Sequence, residues 1–253
     1  LMKYQEIDVR EIQVNDIKRF DKIYWYLVIV AFTLNSSILC WTNIGSSYFI
    51  EEWYYDWEVN QAEITADTFV ALMWLMAAIT GPICGYYVDN YGSRPKVLMA
   101  ASFLCIITMI LFFIAHPIFP SILLGLAYSL GGSSIYPSIS YIVPQGYLGK
   151  ANGLITSVQN LGFSMFPYLI AYLKVTSGSY HMVILILLFG AVIALWFAFL
   201  IYKRNLKKGY MLDVEVDMMD IKGVEVLELR SRSSSASDNF KYQILNSSER
   251  LNI

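Results

Sequence analysis

The stretch "GYYVDNYGSRPK", residues 85–96, interrupts two long apolar runs with an acid, a glycine and a basic-flanked proline. A chain that must reverse direction between two antiparallel helices needs backbone freedom at the turn, and Gly92 supplies it. Pro95 suits the first turn of a following helix, where its fixed φ is pre-organised and its missing N–H costs nothing. Asp89 closes the preceding run, where it can accept backbone N–H bonds or pair with Arg94. Gly85, one helical turn before Asp89, is expected to let a neighbouring helix approach closely.

The surroundings of this turn set its context. The chain of 253 residues is 57% hydrophobic and 15% charged, with a mean hydropathy of +0.49. That balance places it among membrane proteins. Six stretches, 24–44, 67–88, 97–115, 118–143, 151–173 and 181–202, carry the roughly 20 apolar residues that a helix needs to cross the hydrocarbon core. The expected fold is therefore an all-α membrane protein of six transmembrane helices. Residues 1–23 read as an amino-terminal arm, 24–203 as the six-span bundle, and 204–253 as a disordered tail ending in "RSRSSSASDNF".

Charge assigns the sides. Of the 18 Lys and Arg residues, all except Lys174 fall in the two termini or in the second-to-third and fourth-to-fifth connections. Basic residues gather on the cytoplasmic face, so both ends are expected there. The acidic Glu51, Glu52, Asp56, Glu58 and Glu63 then face the lumen or exterior. They lie in "SSYFIEEWYYDWEVNQAEIT", residues 46–65, whose Trp53, Tyr54, Tyr55 and Trp57 suit the headgroup zone. This connection reads as a short interfacial helix or an extension of the first span. It is also large enough to serve as an interaction surface.

Several function classes fall away. A net charge of −2 without a basic stripe gives no case for nucleic acid. Cys40, Cys84 and Cys105 lie inside apolar runs without metal-ligand spacing, so neither disulfide, metal nor cofactor is expected. His116 and His181 stand beside no acid or cysteine in sequence, so there is no nucleophile–base arrangement and no enzyme is read. Leu1 precedes Met2 without a basic-then-apolar leader; no signal peptide is expected, and the leucine start points to a fragment. Tyr242-Gln243-Ile244-Leu245 in the tail fits a tyrosine-based sorting pattern, while the sequons at Asn35 and Asn246 fall where glycosylation is not expected.

Ionisable residues are nearly absent from the spans, with Asp67 and Asp89 at span ends. Uncharged polar residues do line up. Asn152, Thr156 and Gln159 follow i, i+4, i+7 spacing on the fifth span, with Asn160 beside them. Ser36, Cys40, Asn43 and Ser47 repeat the pattern on the first span, and Tyr128 and Tyr136 stand on the fourth, flanking the Gly131 to Ser134 run. These stripes fit a substrate cavity, and ordinary helix–helix hydrogen bonding and small-residue packing explain them too.

Taken whole, Gly85-x-x-x-Asp89-x-x-Gly92-x-Arg94-Pro95-Lys96 between the second and third of six spans resembles the cytoplasmic signature loop of the major facilitator superfamily. Residues 123–162, with Gly125-Leu-Ala-Tyr-Ser129, Val143-Pro144, Leu148-Gly149 and Ser157-Val-Gln-Asn-Leu-Gly162, are similar to the carboxy-terminal half of lysosomal dipeptide transporters of that superfamily. The resemblance implies one half of a twelve-span fold, its amino-terminal six-helix half missing, with Asp89 and Arg94 in a charge cluster at the cytoplasmic gate. It implies alternating access for dipeptides or related small solutes, in a lysosomal, other endomembrane or plasma membrane. It also implies a glycosylated accessory protein, since this half offers no usable lumenal glycan site. A different class stays open: a structural or accessory membrane subunit that transports nothing.

Overall fold

The computed structural model describes residues 20–209 and Leu212. Among these residues the chain forms six α-helices: α1 (Lys22–Trp53), α2 (Val59–Tyr91), α3 (Arg94–Ile114), α4 (Ile118–Ile142), α5 (Leu148–Ser177) and α6 (His181–Lys207). A short 3-10 turn, Gln145–Tyr147, leads into α5. The sorting pattern, the sequon at Asn246, the arm up to residue 19 and most of the expected tail lie outside the described residues.

The helices run up and down in sequence. α1 is the most buried of the apolar helices and packs against α6, α5, α2 and α4. α2 packs mainly on α4, and α3 fills the space between α4 and α6. Side-chain hydroxyls tie α1 to its neighbours: Tyr24 Oη donates to the Ala151 carbonyl at 2.8 Å, Ser37 Oγ to the Leu187 carbonyl at 2.9 Å, and Tyr48 Oη to the Phe112 carbonyl at 2.5 Å. In a bilayer, where lipid is as apolar as leucine, such bonds and close packing hold helices together.

Two helices are longer than the apolar runs that mark them. α1 has 32 residues and α2 has 33, each about 50 Å of helix against a hydrocarbon core of about 30 Å. The excess is held by rings. Trp41, Tyr48 and Phe49 on α1 pack against Phe112 on α3, and Phe49 and Tyr54 meet Phe69 on α2. The acidic aromatic connection is thus mostly an extension of both helices, and only residues 54–58 are non-helical. Tyr54 is buried with the Trp57 ring tilted against it, while Tyr55, Trp57, Val59 and Ile64 stay exposed, so the expected interaction surface is carried by a short turn and the helix ends beside it and not by a long loop.

The turn at residues 85–96 is also tighter than its sequence suggests. α2 continues through Asp89 to Tyr91 and α3 begins at Arg94, so the connection expected between the runs ending at residue 88 and starting at 97 reduces to Gly92 and Ser93. At the far end, α6 continues past residue 203, where the bundle was expected to close, to Lys207. Leu212 is buried rather than part of a solvated tail.

Five of the six helices are long and apolar enough to cross a membrane. α5, with 30 residues, has the length but not the apolarity, because it carries Asn152, Thr156, Gln159 and Asn160. The polar stripe that marked the fifth span is what sets it apart.

Candidate functional site: a cationic latch and a polar strip

Two arrangements stand out, one at the basic end of the bundle and one midway along its helices. At the basic end, Gly92 takes φ 63° and Ser93 follows in the left-handed region at φ 53°. Ser93 is the one non-glycine with positive φ among the described residues, a conformation that costs an L-residue about 1–2 kcal/mol. The strained pair turns the chain at once into α3, with Pro95 at its second position. Ser93 caps α3 through its carbonyl, which accepts from Lys96 N at 2.9 Å and Val97 N at 3.1 Å.

This turn buries Arg94 at 1% exposure. Its Nη2 donates to the Tyr141 hydroxyl at 2.9 Å, and its Cζ lies 4.0 Å from the centre of the Tyr141 ring. Nη1 donates to the Leu212 carbonyl at 3.3 Å, and the Leu212 N–H is itself held by Asn205 Oδ1 at 2.8 Å. Leu212 therefore lies against the turn, held between Arg94 and Asn205. Asp89, the expected partner, stands 4.0 Å from Nη2 with its side chain 58% exposed. Among the described residues, Tyr141 and Leu212 bond the guanidinium, and Asp89 sits at the limit of ion-pair distance. Asp89 also makes no capping bond to the start of α3.

Gly85 does not perform its expected task in this chain. A Cβ there would meet nothing within 4 Å. The close approach of α2 and α4 occurs at Gly125, whose added Cβ would collide with the Met73 carbonyl and, at 2.8 Å, with Met76 Cβ. Ser129, one turn on, reinforces the crossing by donating to the Ala77 carbonyl at 3.0 Å and accepting from Thr80 Oγ1 at 2.8 Å.

The second arrangement crosses α2, α4 and α5. Trp74 meets Tyr128 edge-on, ring centres 5.5 Å apart. Two turns further along α4, Tyr136 donates through its hydroxyl to Gln159 Oε1 at 2.9 Å. Gln159 is 3% exposed, and its Nε2 has no hydrogen-bond partner. Ser36 Oγ on α1 and Ser134 Oγ on α4 are likewise buried without a partner. Gly162, one turn beyond Gln159, has no room for a side chain: a Cβ there would strike Ser36 Oγ and, at 2.9 Å, Phe32.

The predicted stripes are brought together only in part. Along α5, Gln159 is buried, Asn152 half-buried, and Thr156 and Asn160 exposed. At about 100° per residue these positions drift around the helix, so they straddle the edge of the packed face. On α1, Ser36 and Cys40 are buried while Asn43 and Ser47 are exposed. Asn43 lies on the open part of the helix, away from the Tyr136–Gln159 pair. Sequence reasoning missed Trp74, Tyr141 and Leu212; only the aromatic at the end of α4 offered a signal, as a ring one residue from a helix terminus. A groove of about 740 Å³ beside α1 and α5 is lined by Phe32, Met165, Phe166 and Tyr168, among others. Its apolar walls suit a neighbouring helix or acyl chains better than a polar solute.

Comparison with known proteins supports this architecture. The chain is 26% identical over 156 residues to the lysosomal dipeptide transporter of Danio rerio, covering 61% of this chain and 32% of that protein. It is 26% identical over 156 residues to that of Homo sapiens, with the same coverage. The matched region thus spans about a third of these relatives' length. A crystal structure of the peptide transporter POT in complex with sulfate superposes with a TM-score of 0.63 at 15% identity, covering 84% of this chain and 44% of that chain; that likeness bears on the fold alone. The sequence profile of the Major Facilitator Superfamily matches residues 24–213, and the chain belongs to that family.

Proposed function

We propose that this chain forms the carboxy-terminal half of an alternating-access carrier that moves dipeptides or related small organic solutes out of the lysosome. The observation that carries the reading is the Tyr136–Gln159 pair. It sets a half-exposed phenol and a buried amide side by side, with the Gln159 Nε2 donor buried and unpartnered behind the Oε1 that accepts from the Tyr136 hydroxyl. Peptide-bond oxygens and a terminal carboxylate are acceptors of the kind such a donor needs. A site of neutral donors and aromatic faces binds backbone atoms without reading side chains, as a broad dipeptide carrier requires. Most of the relatives' length lies outside the matched region, and the substrate class and organelle in this reading are those for which these lysosomal dipeptide transporters are named.

In this reading six helices supply one wall of the cavity and a second six-helix half supplies the other, the two rocking about a midplane site. Thr156, Asn160 and Asn43 face that second half, and Arg94 latches the cytoplasmic side. The near absence of ionisable residues from the helix interiors favours uniport or coupling groups in the other half. The protein is then a carrier and not an enzyme, and a glycosylated lysosomal accessory protein is the expected partner. A structural or accessory membrane subunit remains the alternative, since Tyr55, Trp57, Val59 and Ile64 stay exposed where the acidic aromatic connection joins α1 to α2.

The test is uptake of a labelled dipeptide by vesicles containing the full-length protein. Saturable uptake that is competed by other dipeptides and not by free amino acids is expected. Vesicles no more permeable than protein-free controls would sink the reading.

A further inference from the structure

A second site lies at the basic end of α6. Lys203, Arg204, Lys207 and Lys208 line a pocket of about 400 Å³ whose floor is Leu200 and Tyr26. Four cations converge on one hollow, and one carboxylate faces them. Asp21, the N-cap of α1, bonds Lys208 and interacts with Arg204. Lys203 Nζ sits 4.7 Å from the Phe199 ring and Arg204 Cζ 6.0 Å from the Tyr26 ring. The pocket holds a surplus of positive charge that nothing in the transport reading uses.

What lies below the pocket identifies the source of the anion. On α6, Leu185, Phe189, Val192 and Trp196 are all exposed. Their spacing of i, i+4, i+7 and i+11 puts them on one stripe of the helix, and Leu200, Lys203 and Lys207 continue it into the pocket. An apolar stripe of about 22 Å from Leu185 to Leu200, longer than the roughly 15 Å of one leaflet, therefore ends in a cluster of lysines and an arginine. A free phosphate has no use for the stripe, whereas a lipid fills both parts.

We propose that this pocket seats the phosphate of an anionic lipid headgroup, with its acyl chains lying along the nearer part of the stripe, at Phe189, Val192 and Trp196. Basic pockets at the cytoplasmic ends of membrane helices suit such headgroups, and Arg204 can grip a phosphate with two parallel bonds while the lysines act as point charges. Bound there, the lipid bridges α1 and α6, the same pair that Ser37 and Leu187 join deeper in the bundle.

The experiment uses the full-length protein in nanodiscs of phosphatidylcholine with or without a phosphatidylinositol monophosphate, reading retained lipid by native mass spectrometry. The wild-type protein should retain the phosphoinositide selectively. Each basic side chain near an anionic lipid surface contributes roughly a factor of five, so the triple variant Lys203→Gln, Arg204→Gln, Lys207→Gln should lower retention roughly a hundredfold. The single variant Lys207→Gln, at an exposed helix end, should lower it about fivefold and serves if the triple variant misfolds. Lys150→Gln, which removes one charge elsewhere on the same side, should leave retention unchanged. Equal losses from Lys150→Gln and Lys207→Gln, no preference for the phosphoinositide, or full displacement by inorganic phosphate would each overturn the proposal, the last by showing a free-phosphate site.

Discussion

Arg94 lies over the ring of Tyr141, its Nη2 2.9 Å from the tyrosine hydroxyl and its Cζ 4.0 Å from the ring centre. One aromatic side chain thus provides both the hydrogen bond and the π-face that keep a buried guanidinium in place. A cation at 1% exposure must be paired or it costs several kcal/mol.

Tyr141→Phe removes the hydrogen bond and keeps the ring, so it should destabilise the bundle by about 1–2 kcal/mol. Asp89→Asn, at an exposed side chain 4.0 Å away, should cost less than about 1 kcal/mol. Thermal unfolding of the full-length protein in detergent measures both. An Asp89→Asn loss exceeding that of Tyr141→Phe would show that the acid, and not the tyrosine, holds the arginine.

Two glycines on neighbouring helices should respond in opposite ways. Gly125→Ala drives a methyl into the Met73 backbone carbonyl, and overpacking of that kind costs about 1–3 kcal/mol. Gly85→Ala meets open space within this chain and should be neutral or slightly stabilising through helix propensity. Melting temperatures of the two variants should therefore separate clearly.

Asp21 caps α1 through a 2.8 Å bond from Ile23 N and pairs with Lys208. Partial burial raises its carboxyl pKa, but the Ile23 bond and the Lys208 and Arg204 charges outweigh this and hold it below the ordinary 3.8. A depressed folded pKa means stability that is present above the unfolded value and is lost as pH falls from about 3.8 through the folded value. Asp21→Ala should cost about 1 kcal/mol at neutral pH through the lost cap, and this difference from wild type should shrink in strong acid. Asp21→Asn should keep most of the cap and remove the acid dependence.

A protein containing only these 253 residues should give no dipeptide uptake in vesicles, because one six-helix wall encloses no alternating site. Uptake by this chain alone would overturn the two-half account.

The existence of all six helices was legible because apolar runs of membrane length have few other readings. Their ends were not, since α1 continues beyond its apolar run on ring contacts such as Tyr48 with Phe112 and Phe49 with Phe69. The turn at Gly92 was legible from its residue types. The partners of Arg94 were not, because Tyr141 and Leu212 lie 47 and 118 residues away and reach it only through tertiary packing. The same limit explains why Gly85 attracted attention that Gly125 warranted: spacing shows that a small residue is present, and only the packed helices show which backbone it meets. On α5, spacing placed Gln159 and Thr156 on one stripe, but which of them turns inward depends on where the neighbouring helices end.

The most direct test of the account is dipeptide flux through vesicles containing the full-length protein with Gln159→Leu, a change that keeps bulk and removes the amide. Losing a buried donor to substrate costs about 1–3 kcal/mol, so flux should fall roughly tenfold or more, while the melting temperature stays close to wild type. Unchanged flux with Gln159→Leu in a folded protein would contradict the claim that the Tyr136–Gln159 pair contacts the substrate.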